Sequence, residues 1–289
     1  MSEQTVTDAD TSIPAELFVD TRQPFELSEE LQQRVDQLEL NSTVEQLKEN
    51  GYGYVYQPST NEFNERLRET IIRIGKPDPA IPGGGGNMLL DKDPIFEDVV
   101  INPKLLTIVE IMCGKGAMLS QLAASIKPKG PFNLGLHADQ NWFPAPFPVH
   151  NQLVTFCWAT DEFSEEAGST KVIPKSNGFR RHPNAEETQK ELGAIATQCP
   201  AGSIVVWDGS TWHGSYPRQI DGERVVLHIT YSRLALRPVE SYDYLDDAWL
   251  EGKPFEMSVL LGREDFLNTP QGGFAHGEKL PRTFVWAKT

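Results

Sequence analysis

Short apolar segments dominate the chain beyond Ala117, and they constrain the fold more than any other feature. They are rich in β-branched and aromatic residues, and Gly, Pro and Asn separate them. Strands of this kind, without strong helical patterns between them, are typical of an antiparallel sandwich or barrel. The sequence therefore predicts a mainly β architecture for this part of the chain. The clearest segments are 118–126, 133–138, 152–160, 203–207 and 224–231.

The residues before Ala117 show a helical pattern instead. Apolar residues recur at helical spacing in 44–50, in 63–74 and in 103–112. Ser59 and Glu62 have the spacing of a capping box in front of the second of these segments. Helices first and strands later fit one α+β domain in which the helices buttress a β-barrel.

Acidic residues outnumber basic ones, 41 to 26, and the formal net charge is -15. This charge would repel phosphate backbones and anionic membrane surfaces, so we expect neither nucleic acid nor membrane as a partner. Residues 1–40 hold ten acids and two bases, a net charge of -8. We predict that 1–42 form an acidic, partly flexible N-terminal arm.

Targeting and redox signals favour a cytoplasmic protein. The N-terminus lacks the basic and apolar regions of a signal peptide, and no apolar stretch of about 18 residues could span a membrane. The three cysteines are scattered along the chain, which is typical of a reducing compartment and not of a disulfide framework. The oligomeric state is left open, and a homodimer is one possibility.

Four consecutive glycines, Gly83–Gly86, invite comparison with a phosphate-binding loop. No Lys-Ser or Lys-Thr pair follows them and no apolar strand precedes them, so a nucleotide loop is disfavoured. We interpret this segment as a mobile loop.

His137 and Asp139 are separated by one residue at the end of an apolar segment. Residues i and i+2 of a strand project to the same face, so both side chains could reach one metal ion. A non-haem iron site needs a second histidine. Among the six histidines, His213 stands out because it follows the apolar strand 203–207 and has turn-forming neighbours.

Arg224 opens the apolar strand 224–231, where an unpaired guanidinium would be costly to bury. A bidentate carboxylate ligand would supply the missing partner. His228 shares a strand face with Arg224 and is the rival metal ligand. We favour a hydrogen-bonded core histidine for His228.

Together, His137-x-Asp139, the distant His213, Ser215 and Arg224 resemble the iron(II)/2-oxoglutarate dioxygenases of the phytanoyl-CoA dioxygenase (PhyH) superfamily. The segment 162–177 also looks like that family's acidic turn followed by small residues, although Lys175 and Asn177 stand where Gly and His are usual. The resemblance covers roughly residues 43–243.

The resemblance implies a fold and a set of roles. The fold is a double-stranded β-helix, a cupin-like jelly roll, with its core at about 117–240 inside a single dioxygenase domain 43–289 that ends in a C-terminal extension. Fe(II) is the implied cofactor, and 2-oxoglutarate and O2 are the implied co-substrates. The metal ligands would be His137, Asp139 and His213, and Arg224, helped by the Ser215 hydroxyl, would hold the distal carboxylate of 2-oxoglutarate. Alternation along 118–126 puts Gln121, Ala123 and Ser125 on one face of that strand, and Gln121 is an additional candidate for a polar contact to 2-oxoglutarate.

The implied reaction is oxidation of a C–H bond in a largely apolar small molecule, with decarboxylation of 2-oxoglutarate to succinate. A carboxylate at Asp139 argues for hydroxylation over halogenation, and desaturation or cyclisation stays open. Trp142, Phe143 and Phe147, on a proline-rich loop, could form one wall of the substrate pocket. Specialised metabolism is the expected context.

Two other classes of function are open at this point. One is a cupin-type metal enzyme without redox chemistry, an isomerase or hydrolase, and the other is a non-catalytic jelly-roll binding protein. Arg224 and Ser215 disfavour the first, because such chemistry has no need of a 2-oxoglutarate site.

Overall fold

The computed structural model describes residues 23–78 and 81–263. All eleven strands of these ranges form two antiparallel sheets that face each other, and most of the helices lie on the outer face of the larger sheet. The helices of the described ranges are α1 (Glu29–Gln37), α2 (Asn41–Asn50), α3 (Asn61–Ile74), α4 (Pro94–Val100), α5 (Pro103–Cys113), α6 (Ala185–Lys190), α7 (Asp247–Leu250) and α8 (Phe255–Leu260), with a 3-10 helix at Ser176–Phe179.

The strands alternate between the two sheets along much of the chain. The larger sheet has the order β1-β9-β6-β11-β4-β3-β2 and the smaller one β5-β10-β7-β8. The strands are β1 (Tyr52–Val55), β2 (Lys76–Asp78), β3 (Ile81–Gly86), β4 (Met118–Gly130), β5 (Leu134–His137), β6 (Leu153–Ala159), β7 (Thr170–Val172), β8 (Ile195–Ala196), β9 (Ser203–Asp208), β10 (His213–Ser215) and β11 (Arg218–Ser232).

This architecture confirms the predicted α+β, mainly β jelly roll buttressed by N-terminal helices. All five apolar segments named from the sequence contain strands. The helix predictions are also confirmed, with one correction: the cap of α3 is Thr60, whose hydroxyl accepts from the Phe63 backbone N–H, and not Ser59. A hydroxyl residue at either position could have satisfied the open N–H groups of the first turn.

The hydrophobic core lies between the helices and the outer face of the larger sheet. Leu67 and Ile71 of α3 and Ile108 of α5 are fully buried there, against strand residues such as Phe156 and Ile229. Because side chains alternate along a strand, the opposite face of the same sheet is turned to the smaller sheet. The helices therefore cover one face of the larger sheet, and the opposite face is available to form a binding site.

Gly83–Gly86 lie in strand β3, so the interpretation of this segment as a mobile loop is wrong. Gly85 pairs with Ser125 of β4. A Cβ atom at Gly85 would lie 2.2 Å from the carbonyl oxygen of Ala124, and one at Gly83 would lie 2.3 Å from that of Ile126. The glycines permit this close approach of two backbones.

Part of the predicted terminal segments lies outside the described residues, namely 1–22 of the acidic arm and 264–289 of the C-terminal extension. Helix α1, within the predicted arm, buries Leu31 and Val35 against the rest of the domain. The domain boundaries stay a prediction. Every helix in the described ranges is too short or too polar to cross a bilayer, and the cytoplasmic location also stays a prediction.

Candidate active site

Pairing between β5 and β10 brings the two distant halves of the predicted metal set together. His137, the last residue of β5, lies directly opposite His213, the first residue of β10. The two imidazole rings are 4.3 Å apart between centroids. Asp139 is fixed just beyond β5, because its backbone N–H donates to the carbonyl of Gly209 at 2.9 Å. The three side chains meet where the ends of these strands adjoin.

In His137 and His213, one ring nitrogen is hydrogen-bonded to a backbone carbonyl. Nδ1 of His137 lies 3.0 Å from the carbonyl oxygen of Gly135, and Nδ1 of His213 lies 3.0 Å from that of Thr211. A carbonyl only accepts hydrogen bonds, so each Nδ1 carries the proton and each Nε2 presents a lone pair. This arrangement of backbone carbonyl and imidazole is common around metal ligands.

Asp139 has its two carboxylate oxygens in different roles. Oδ2 accepts from the Thr155 hydroxyl at 2.8 Å and from the indole N–H of Trp207 at 3.0 Å. Oδ1 faces the two histidines and lies 3.4 Å from Nε2 of His213 and 3.8 Å from Nε2 of His137. The two donors therefore fix the rotation of the carboxylate and select the oxygen that faces the imidazoles.

The protonation states suit a divalent cation. Burial lowers the pKa of His213 to about 4, so its imidazole is neutral at neutral pH. Burial opposes ionisation of Asp139, but the neighbouring imidazoles of His213 and His137 and the two hydrogen bonds outweigh it and lower its pKa. Candidate ligand atoms of the three residues lie within 4.8 Å of one another. Two neutral imidazoles and one carboxylate are the donor set of non-haem iron(II) sites, so the residues present fit that metal.

A cavity of about 410 Å³ lies between the two sheets and includes the triad in its wall. Apolar atoms form most of its surface, with a few polar groups that converge on the interior, as in sites for small molecules. Its walls are formed by Asn87, Gln121, Ala123, Ala124, Ser125, Lys127, Phe132, Leu134, His137, Asp139, Thr155, Thr170, Trp207, His213, Gly214, Ser215, Arg224, His228 and Thr230.

Two buried cations line another part of this cavity. Arg224 of β11 pairs directly with Lys127 of β4. The Arg224 guanidinium donates through Nη1 to the Gly168 carbonyl, and its Nε has no hydrogen-bond partner among the described residues. Lys127 Nζ donates to the Ser215 hydroxyl at 2.8 Å and to the Tyr216 carbonyl at 2.6 Å. The predicted pair of Arg224 and Ser215 thus lines the cavity, but in this structure Ser215 contacts the lysine.

Lys127 was missed by reasoning from the sequence. It lies just beyond the end of the apolar segment 118–126, and nothing local distinguishes it from an exposed lysine such as Lys129. Burial, with the positive charges of Arg224 and Lys171, lowers the pKa of Lys127 to about 7. Extension of the alternating pattern of Gln121, Ala123 and Ser125 by one more step would have put it on the cavity face.

His228 also faces the cavity, so the interpretation as a hydrogen-bonded core histidine is wrong. In the part of the chain that the structure describes, its imidazole makes no hydrogen bond. Burial and the charge of Arg224 lower its pKa to about 4. His228 lies outside the cluster formed by His137, Asp139 and His213. It is a neutral polar group open to a ligand in the cavity.

The remaining predicted contacts divide into two groups. Gln121 lines the cavity, directly opposite Thr230 on β11. Trp142, Phe143 and Phe147 do not form its wall. Phe147 is fully buried in a small cluster with Ala138 and Trp212, Phe143 packs against that cluster, and Trp142 is exposed. Their contact with a substrate stays a prediction.

The residues of the site lie in a part of the chain that matches a known protein family. The sequence model for phytanoyl-CoA dioxygenase (PhyH) matches residues 82–226, which is half of the chain and includes all three residues of the triad and Arg224. The chain belongs to the phytanoyl-CoA dioxygenase family. Its resemblance to that family, first seen in a few spaced residues, is thereby confirmed.

Relatives of this PhyH-family chain include proteins of fungi and mycobacteria. It is 29% identical over 156 residues to "Dioxygenase af480" of Aspergillus fumigatus, which covers 53% of this chain and 50% of that protein. It is 27% identical over 217 residues to "Uncharacterized protein Rv1501" of Mycobacterium tuberculosis, or 71% of this chain and 77% of that protein. The chain thus spans about half the length of the fungal relative.

Solved structures with the same fold include HygX from Streptomyces hygroscopicus. HygX with nickel, 2-oxoglutarate and hygromycin B bound superposes with a TM-score of 0.60 at 14% identity, over 68% of this chain and 89% of HygX. HygX with iron bound gives a TM-score of 0.57 at 13% identity, over 72% and 93% of the two chains. At this identity the likeness establishes the fold of the PhyH-family chain.

Proposed function

We propose that this protein is an iron(II)- and 2-oxoglutarate-dependent dioxygenase that hydroxylates a C–H bond of a largely apolar small molecule. The convergence of two imidazole Nε2 atoms and one carboxylate oxygen on the cavity between the two sheets carries the proposal. Family membership and the metals and 2-oxoglutarate bound by HygX support it.

The triad would hold the iron through atoms that the structure leaves free. Those atoms are Nε2 of His137, Nε2 of His213 and Oδ1 of Asp139. Trp207 and Thr155 would keep the carboxylate in its ligating orientation through Oδ2. The metal supplies activation of O2, and the overall reaction is R–H + O2 + 2-oxoglutarate → R–OH + succinate + CO2.

The cavity would orient the two organic reactants. Arg224, Ser215 and Gln121 supply polar contacts for 2-oxoglutarate, since all three line the cavity with the triad. Small and apolar residues such as Ala123 and Phe132 leave room for an apolar substrate.

Binding of metal and co-substrate tests this proposal. Anaerobic addition of iron(II) and then 2-oxoglutarate should produce the visible charge-transfer band of the chelate. Asp139→Ala should lose the band, because it removes a ligand. Asp221→Ala should keep it, because the side chain of Asp221 is 93% exposed on strand β11.

Two results would contradict the proposal: no band with the wild-type protein, or an unchanged band in Asp139→Ala. The first would favour a cupin-type isomerase or hydrolase, or a binding protein without catalysis. If the band forms, release of succinate in the presence of apolar candidates, followed by analysis of the product, separates hydroxylation from desaturation and cyclisation.

A further inference from the structure

Trp207 touches two of the three candidate metal ligands. Its indole N–H donates to Oδ2 of Asp139 at 3.0 Å, and its ring lies 4.5 Å from that of His213 between centroids. In the part of the chain that the structure describes, it is also the one tryptophan or tyrosine in the cavity wall. An indole loses an electron far more easily than the phenyl ring of Phe132, which lines the same cavity. Trp207 is therefore positioned to give up an electron to an oxidant formed in the cavity.

A row of three tyrosines leads from Trp207 to the surface. Tyr52 of β1 is paired with Trp207 of β9, so the two side chains project side by side from the same face of the sheet. The rings of Tyr52 and Tyr54 are 5.9 Å apart between centroids, edge to face, and those of Tyr54 and Tyr56 are stacked at the same distance. Tyr52 and Tyr54 pack against the cluster that contains Trp207, whereas Tyr56 is 52% exposed. The four rings thus connect the triad to solvent.

The spacing of these rings favours the movement of electrons in short steps. The rate of electron transfer falls steeply with the distance between donor and acceptor, so several short steps are faster than one long step. Burial raises the pKa of Tyr54 to about 12, so this phenol is protonated at neutral pH. A phenol that loses an electron must also lose its proton. The exposed ring of Tyr56 can release that proton directly to water.

We propose that Trp207, Tyr52, Tyr54 and Tyr56 form a relay that carries electrons from the surface to the candidate iron site when O2 reacts there without a substrate. This inference rests on the proposed function. Oxidation of 2-oxoglutarate uses half of the oxidising equivalents of O2, and hydroxylation of a substrate uses the other half. Without a substrate, the relay supplies two electrons in their place, one at a time: O2 + 2-oxoglutarate + 2 e− + 2 H+ → succinate + CO2 + H2O.

Each of these electrons leaves the phenol of Tyr56, which releases its proton to water and becomes a neutral tyrosyl radical. A soluble one-electron reductant such as ascorbate returns an electron, and a proton from water restores the phenol. The relay therefore protects the residues around the iron from oxidation. One of them is the thiol of Cys157, which is buried in the same cluster as Trp207.

Electron paramagnetic resonance of freeze-quenched samples tests the relay. The protein is loaded anaerobically with iron(II) and 2-oxoglutarate, mixed with O2 without substrate or reductant, and frozen at intervals. Tyr54→Phe interrupts the row but keeps an aromatic ring, and Tyr54→Trp restores a ring that can be oxidised. Tyr244→Phe is the matched control, because Tyr244 is 54% exposed and its ring partner, Tyr242 at 6.2 Å, belongs to a different core cluster from Trp207.

We expect the wild type to form a tyrosyl radical whose signal narrows when the tyrosines are ring-deuterated. Tyr54→Phe should lose this signal and should instead gain an oxygen atom on Trp207 or Cys157, detected by mass spectrometry of its peptides. Tyr54→Trp should regain the radical at Tyr56, and Tyr244→Phe should behave as the wild type does. All four proteins should form the same charge-transfer band with iron(II) and 2-oxoglutarate, because none of the substitutions alters the triad.

Three outcomes would overturn the relay while the proposed function stands. They are an undiminished tyrosyl radical in Tyr54→Phe, release of succinate by the wild type without any tyrosyl radical, and absence of succinate when no substrate is present. In the last case no oxidising equivalents would be left for the relay to consume. A wild-type protein that forms no charge-transfer band would instead contradict the proposed function itself, and the relay with it.

Discussion

The triad (His137, Asp139 and His213) and the basic pair (Lys127 and Arg224) line one cavity, but they differ in how many of their polar atoms have hydrogen-bond partners. At the triad, each Nδ1 has a backbone carbonyl and Asp139 Oδ2 has two donors, so only the atoms that face a metal are free. At the basic pair, two cations lie together, and the Nε of Arg224 has no hydrogen-bond partner in the part of the chain that the structure describes. The protein alone orients the three candidate metal ligands, whereas the two cations have no carboxylate of a described residue within ion-pair distance.

The largest expected effect is a loss of iron(II) affinity when one residue of the triad is removed, and the neighbouring His228 provides the control. His213→Ala should lower iron(II) affinity by more than about 100-fold, beyond what loss of an outer hydrogen-bond partner costs. His228→Ala should keep wild-type affinity, because His228 faces the same cavity outside the triad. Anaerobic competition with a chelator measures both. Equal losses in the two variants would restore His228 as a rival ligand.

The next effect concerns the basic pair as a unit. Arg224→Gln should weaken 2-oxoglutarate binding by about tenfold, and the double variant with Lys127→Met should lose less than the product of the two single losses. Non-additivity is expected because both cations would act on one carboxylate. Calorimetry of the four proteins gives the coupling. Strict additivity would indicate that the two residues bind different groups.

A smaller effect tests how the triad is held in place. Trp207→Phe removes the indole donor to Asp139 Oδ2 and keeps an aromatic ring. Iron(II) affinity should fall by about tenfold, at the lower end of outer-partner losses. Thr155→Val should act in the same direction through the second donor. Unchanged affinity in both variants would show that the carboxylate does not depend on these hydrogen bonds.

The smallest expected effect is a pH dependence of the affinity for 2-oxoglutarate, caused by titration of Lys127 in the basic pair. Burial, together with the positive charges of Arg224 on β11 and Lys171 on β7, lowers the pKa of Lys127 to about 7 in the free protein. A bound carboxylate raises this pKa, so binding takes up a proton above pH 7. The affinity for 2-oxoglutarate should therefore fall, by less than about tenfold, from pH 7 to 8.

Lys127→Arg is the control for this pH profile. An arginine keeps its charge over the whole range, so the variant should show no such fall. A falling profile that persists in Lys127→Arg would assign the titration to another group.

Much of the architecture could be predicted from local patterns. The apolar segment 118–126 became β4 because alternation and turn residues are short-range signals. The cluster of His137, Asp139 and His213 could be predicted as well, since two of these residues are close in sequence and the third follows a strand. Their role as metal ligands stays a prediction. The glycine segment 83–86 was misread, because its role depends on the approach of β4, some forty residues away.

What the sequence by itself determined, then, is the order of elements and the identity of the three candidate ligands, because strand alternation and ligand chemistry act over a few residues. Tertiary structure decided what those residues face. The register of β11 on β4 places Lys127 beside Arg224, and the packing of the two sheets turns His228 into the cavity instead of the core. Register is set by contacts distant in sequence, so no local pattern specifies which buried polar side chains share a cavity.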